Sequence, residues 1–289
     1  MKYSVSVYSF MQYINDGRLT PFSCIEKAKE LGFDAIEFVD FVFPKDQDPK
    51  EYAASLAAEA ARVGIEISNY AVGADFIQGS DGDLDREAER LCAQVDIAHI
   101  LGCPTMRHDV TGGQTEYSWQ GYDSVLERLA QGCCRVAKYA KGYGIRTMTE
   151  NHGFFSQDSL RVEKLINTVA SDNFGWLVDM GNFLCADDDP AVAVGRAARY
   201  AFYVHAKDFI VKSGQTADPG QGFFLSRGGN FLRGTIVGHG NVPVVQCLRA
   251  LKRENYDGYI AIEFEGMEDC IQGISIGLAN LKRYVAAMI

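Results

Sequence analysis

Eight short apolar runs, rich in Val, Ile, Phe and Tyr, recur along this chain, and a segment with helical signals follows each of them. The runs fall at 3–8, 33–39, 65–72, 103–110, 145–149, 173–182, 200–208 and 259–266. Glycine, proline or a polar turn flanks them, as expected of parallel strands buried on both faces. The helical segments carry start and stop signals of their own. Thr20-Pro21 offers an N-cap with proline at the first helical position, and Gly32 offers a stop. Asp48-Pro49 and Gly64 bracket the next helix in the same way. Further helices are predicted over 83–101, 122–143, 159–170, from Asp189-Pro190 onward, over 242–253 and over 269–288. A Gly/Thr/Ser loop is expected before Tyr122, and a long polar loop over 209–241 that holds eight of the 29 glycines.

Strict alternation of this kind has two solutions, an open doubly wound sheet or a closed (β/α)8 barrel. No GxGxxG follows the first strand, and eight repeats within 289 residues suit one α/β barrel domain spanning 1–289. Composition narrows the partners. With 38 acidic against 28 basic residues the net charge is −10, which argues against a nucleic-acid backbone or an anionic membrane. The amino terminus lacks a long apolar core, and no run of about 18 apolar residues suggests a membrane span. Eight cysteines show no CxxC spacing, so reduced, mostly buried thiols in a cytoplasmic protein are expected.

In a barrel, side chains at the carboxyl ends of the strands converge on one mouth. The polar residues that end the later strands are Glu150, Asp179, His205 and Glu263, at intervals of 29, 26 and 58 residues. Three carboxylates crowded together repel one another unless a cation neutralises them. A divalent metal is therefore expected. An O₃N₁ donor set suits Mn²⁺ first, with Mg²⁺ and Co²⁺ close behind and Zn²⁺ or Fe²⁺ still compatible.

The motifs TENHG, LVDMGN, VHAKDF and AIEFEG, in that order, resemble the sugar phosphate isomerase/epimerase superfamily, the xylose isomerase-like TIM barrels. Within it the likeness is to ketose 3-epimerases and inosose-processing enzymes. The resemblance implies a barrel holding a divalent metal through Glu150, Asp179, His205 and Glu263. It also implies that the two glutamates lie on opposite faces of a sugar and form an acid/base pair. Proton abstraction next to a carbonyl would then give an enediolate, and reprotonation would epimerise or isomerise the sugar. Two alternatives stay open: a metal-dependent lyase acting on 3-keto-glycosides or inososes, and a non-catalytic sugar-binding subunit. The DNA-repair members of the superfamily need more histidines than the five present and a basic face.

Other residues are expected to contact substrate. His152 and Asn151 follow Glu150. Asn182 stands where many relatives have a substrate-binding histidine. Lys207 is expected to reach substrate or Glu263, Glu37 to orient a ligand or Lys207, and Arg107 and His108 to face the mouth. Arg227 and Arg233 flank a Gly-Gly-Asn turn that could cradle a phosphate, but the acidic chain favours an unphosphorylated sugar. His239 is read as a loop contact and His99 as a helix-surface residue. An Ala-rich stretch over 53–61 would allow close helix packing in a homo-oligomer.

Overall fold

The computed structural model describes residues 1–112 and 121–288; the Gly/Thr/Ser loop expected before Tyr122 lies largely outside them. Eight parallel strands close into a barrel: β1 (Lys2–Ser6), β2 (Ala35–Val39), β3 (Glu66–Val72), β4 (Thr105–His108), β5 (Arg146–Glu150), β6 (Phe174–Asp179), β7 (Ala201–Ala206) and, after three further strands, β11 (Tyr259–Ile262). Closure runs through β1, which pairs in parallel with both β2 and β11. A ring of helices surrounds it: α2 (Pro21–Glu30), α3 (Pro49–Val63), α4 (Leu84–Leu101), α5 (Leu126–Lys141), α6 (Ser159–Val169), α7 (Pro190–Ala197), α8 (Val244–Arg253) and α9 (Cys270–Ala286). A short α1 (Met11–Asn15) precedes them. No described helix is long and apolar enough to cross a membrane.

Local chemistry sets the boundaries. Thr20 caps α2 and forms a reciprocal capping box with Ser23, a pairing usually made by Glu or Gln. Gly64 and Gly102, both at φ 74°, terminate α3 and α4 in the left-handed conformation that spares glycine a steric cost. On α5 the buried residues Leu129, Ala130, Cys133, Val136, Ala137 and Ala140 form one helical stripe facing the barrel. All eight cysteines are free and six are buried, as their spacing suggested.

Two departures from expectation concern strand ends. The first strand stops at Ser6, and Val7–Phe10 turns as a 3₁₀ helix that brings Tyr8 over the mouth. The fifth strand extends through Glu150, so this carboxylate is held by the barrel ladder itself. A third departure is larger. The expected polar loop builds a three-stranded antiparallel sheet from β8 (Asp208–Lys212), β9 (Phe224–Leu225) and β10 (Phe231–Thr235) in the order β8-β10-β9. Asp208 pins the base of this excursion, since its carboxylate accepts the amides of Gly238, Gly240 and Val242.

Inside the barrel, Met148, Leu177, Tyr203 and Ala261, on four neighbouring strands, form an apolar tier. The β2–β3 register shifts next to Ser68. This irregularity lets Ser68 bond the Tyr203 hydroxyl at 2.7 Å while its neighbour Asn69 reaches Glu37 at 2.9 Å. The tier lies beneath the ionisable side chains that follow on the same four strands.

Candidate active site

Because side chains alternate along a strand, every second residue above the apolar tier points into the barrel. Met148 is followed by Glu150 and His152, Leu177 by Asp179, Tyr203 by His205 and Lys207, and Ala261 by Glu263 and Glu265. The climb therefore turns from apolar to ionisable in one step on four strands. One ligand atom from each of Glu150, Asp179, His205 and Glu263 lies within 4.8 Å of the others.

Surrounding groups fix how these four face one another. Glu37 accepts from His205 Nε2 at 3.0 Å, which leaves Nδ1 turned toward the carboxylates. Asp179 Oδ1 accepts the amides of Gly181 at 2.7 Å and Asn182 at 2.9 Å. Two atoms then remain buried without a hydrogen-bond partner, Asp179 Oδ2 and His205 Nδ1. Buried polar atoms are rarely left so. Both belong to the four-residue cluster, and with two more carboxylates beside them the donor set fits a divalent cation.

Charge balance points the same way. Burial pushes the Asp179 carboxyl up to about 7 despite Lys207 at 3.2 Å, because Glu150 and Glu263 add repulsion. Burial would also raise Glu263, but Lys207 at 2.5 Å and His205 outweigh it and hold that carboxyl well below its usual range. For Lys207 and His205 burial works downward and is overcome. Asp179 and Glu263 raise Lys207, and Glu37 and Glu263 raise His205.

A cavity of about 280 Å³ opens above the cluster and is lined by Glu150, His205 and Glu263 together with Tyr8, Phe41, Arg107, Asp109, His152, Lys207 and Glu265. Arg107 enters it as a buried guanidinium, 2.7 Å from Glu150 and 2.8 Å from Asp109. His152 lines the cavity and bonds Asp109 at 3.0 Å. Lys207 is buried rather than at the rim, where a solvent-exposed salt bridge was the alternative.

Four expected contacts are placed elsewhere. Glu37 is buried beneath the cavity and bonds His205, so it orients that imidazole rather than Lys207. Asn182 is also buried; its amide donates to Glu150 at 2.9 Å and accepts from Lys207 at 3.2 Å. Asn151 and His108 have the opposite parity to Glu150 and Arg107 and face the helices. Asn151 clamps β5 to β6 by donating to the Asp179 carbonyl and accepting from the Asp179 amide and the Trp176 indole. His108 is packed between Phe76 and Phe174 and bonds the Asp109 carbonyl.

Elsewhere, Arg227 spends its guanidinium on the Phe154 carbonyl and Asp158, and Arg233 lies over the Phe223 ring, so no phosphate cradle forms between them. His239 is exposed on its loop, and His99 is exposed beside Tyr143. The sequence reading passed over Asp109, Glu265 and Asn69. Counting two residues on from Arg107 and Glu263 identifies the first two.

Burial pushes His108 down to about 4. Its folded value lies below the unfolded one, so the unfolded chain binds more protons between pH 4 and 6.5, and stability falls as pH drops through that window. By pH 5 this amounts to about 2 kcal/mol. His108→Phe should therefore flatten the loss of urea stability between pH 7 and pH 5 relative to wild type. Parallel losses in the two proteins would contradict a neutral, buried imidazole.

Comparison with known proteins agrees with this architecture. Residues 25–284 match the family model described as xylose isomerase-like TIM barrel. Inosose dehydratase from Salmonella typhimurium is 24% identical over 273 residues, which cover 89% of this chain and 81% of that protein. Inosose dehydratase from Clostridium perfringens is 25% identical over 140 residues, so the chain there spans less than half of the relative, 46% of its length. Among solved structures, D-psicose 3-epimerase from Clostridium cellulolyticum with D-tagatose superposes with a TM-score of 0.76, at 15% identity and 99% coverage of both chains.

Proposed function

We propose that this chain, which belongs to the xylose isomerase-like TIM barrel family, is a divalent-metal-dependent isomerase or epimerase acting on a small sugar or sugar derivative. The observation that carries this reading is the pair of buried atoms without a hydrogen bond, Asp179 Oδ2 and His205 Nδ1, within the cluster of Glu150, Asp179, His205 and Glu263. When bound, a divalent cation, Mn²⁺ in our reading, supplies Lewis-acid stabilisation of the negative charge that develops as a proton leaves the carbon next to a carbonyl.

The chain's own residues supply the rest. Glu150 receives hydrogen bonds on both oxygens, from Asn182 and Arg107, which hold it as an aligned carboxylate ready to take a proton. Glu263 lies 2.5 Å from the Lys207 ammonium and, in this reading, relays a proton from it to the carbon. Lys207, left neutral by that transfer, recovers its proton from solvent, and Glu150 releases to solvent the one it took. Return to the opposite face of the same carbon inverts it; return to the neighbouring carbon interconverts aldose and ketose. His152 and Arg107 line the mouth and are placed to hold hydroxyls.

A second reading, a lyase, shares the first step and is favoured by the inosose dehydratase relative that aligns over 89% of the chain. There the enediolate would expel a hydroxyl or an aglycone, with Lys207 as the nearby donor. Incubation of the Mn²⁺-loaded protein with ketohexoses, inososes and a 3-keto-glucoside in D₂O, followed by NMR, separates the two. Deuterium uptake without loss of any group is expected. Release of water or an aglycone would replace the isomerase reading with the lyase, and sugar binding without turnover would leave only a binding subunit.

A further inference from the structure

A second cavity of about 430 Å³ lies beside the catalytic one, and the two share Gly73, Asp109 and His152. We propose that this side cavity is a subsite for a second, uncharged hydroxylated ring, so that the substrate is a carbonyl-bearing sugar joined to a second ring rather than a free or phosphorylated monosaccharide. The inference rests on the reading above for where the reacting ring sits.

Size is the first argument. Small-ligand sites usually span about 300–1,000 Å³, so the catalytic cavity alone stands at the lower edge of that range. The larger space adjoins it and contains none of the four ligand residues. A single ring held above those ligands would leave it unused.

The walls define what could fill it. Thr111 lines the side cavity, is 3% exposed, and its Oγ1 has no hydrogen-bond partner. An orphaned buried hydroxyl is costly unless a ligand pairs with it, and a sugar hydroxyl can both donate to it and accept from it. Asp75 spends Oδ1 on the Ile77 and Gln78 amides, while Oδ2 receives no hydrogen bond among the described residues. It can accept from a ligand hydroxyl. His152 has Nδ1 committed to Asp109, so its other ring nitrogen is the one available to a molecule crossing from one cavity to the other.

Charge excludes anions. Asp75, Glu87 and Asp109 line the space, and its two basic wall residues among those described are both paired, Arg90 with Glu87 and His152 with Asp109. Arg90 forks onto Glu87 at 2.7 and 3.0 Å and donates to the Gly73 carbonyl at 2.7 Å. A phosphate placed there would meet the Asp75 carboxylate, and the cations at the wall are already paired with Glu87 and Asp109. A neutral ring would meet acceptors for its hydroxyls.

Binding of unreactive sugars tests this independently of turnover. Mn²⁺-loaded protein is titrated calorimetrically with glucose, glucose 6-phosphate, cellobiose and trehalose. At least one disaccharide should bind about 10-fold more tightly than glucose, the worth of one or two added hydrogen bonds, and the phosphate should bind no more tightly than glucose. The nearly isosteric Thr111→Val should shrink the disaccharide preference several-fold. Gly73→Leu, where an added Cβ meets nothing closer than 3.8 Å, should narrow the junction and remove the preference. Equal affinity for one and two rings, tightest binding of the phosphate, no binding of any probe, or a preference that survives both variants would overturn the subsite. Solvent-hydrogen exchange on a keto sugar reports separately on the catalytic reading, which can stand when the subsite falls.

Discussion

Glu150→Gln and Glu263→Gln should each lower turnover by about 10²–10⁴-fold, the usual worth of a positioned acid or base. Neither loss should come from unfolding. Without the Glu150 charge, Arg107 keeps Asp109 at 2.8 Å; without that of Glu263, Lys207 keeps Asp179 at 3.2 Å and Glu265 at 3.6 Å. The two variants should fail differently. In an epimerase the surviving glutamate still exchanges the proton on its own face. Each single variant would then wash deuterium into one epimer of the substrate pair and not the other, and the double variant into neither. A lyase gives no such complementary pattern, because one face bears the proton that leaves. If either variant keeps more than a tenth of wild-type turnover, that residue is not part of an acid/base pair.

The asymmetry has a structural basis in how the two carboxylates are held. Glu150 is gripped from the side by a guanidinium and an amide, both buried. Glu263 is gripped by an ammonium that also touches Asp179. Removing one partner of a buried pair leaves the other charge uncompensated and usually costs about 3–5 kcal/mol. Here each cation has a second acid in reach, which is why the glutamines should be tolerated. The same redundancy lets Lys207 carry a proton close to the reacting carbon without collapsing onto one acid.

Much of this centre was legible in the chain because barrel strands impose a period of two and a common mouth. Glu150, Asp179, His205 and Glu263 were found as strand ends, and the structure gathers them within 4.8 Å. His108 and Asn151 were misjudged for the same physical reason that the others were found. Each sits one residue from an inward-facing side chain, and one residue reverses the face. Asp109 and Glu265 lie two residues beyond Arg107 and Glu263, past the last ladder residue, where parity still holds but the hydrophobic pattern has ended. The β8–β10 sheet was hidden for a different reason. Glycines and polar residues at its turns read as loop, and Asp208–Lys212 follows β7 after a single residue, so two strands look like one. Glu37 was expected to orient a ligand or Lys207, and the structure assigns it to His205. Which of two buried cations an acid will meet across a barrel depends on packing that no local pattern encodes.

Metal removal should expose a stability inversion between wild type and Asp179→Asn. Binding of a ligand at about 1,000 times its dissociation constant stabilises the folded state by about 4 kcal/mol, so chelation should lower the wild-type melting temperature by roughly 10 °C. Asp179→Asn should lose that response, because an amide is a poor replacement for a charged oxygen among the four ligands. In chelator the order should reverse. The metal-free Asp179 titrates near 7, raised chiefly by burial and by Glu150 and Glu263. Its folded value lies above the unfolded one, so the folded state binds the extra proton between about pH 4 and 7. Stability from this group is present at low pH and lost as pH rises through that window, a cost on the order of 4 kcal/mol by pH 8. Asn carries no such cost and still accepts the Gly181 and Asn182 amides through its oxygen. With chelator at pH 8, Asp179→Asn should therefore melt higher than wild type, and with Mn²⁺ it should melt lower. The His108 effect runs the opposite way between pH 4 and 6.5 and partly masks the slope in the native sequence, so each titration has to be read as a difference from its own variant. If wild type and Asp179→Asn keep the same order with and without Mn²⁺, the four side chains do not form a metal centre, and the acid/base scheme built above it loses its foundation.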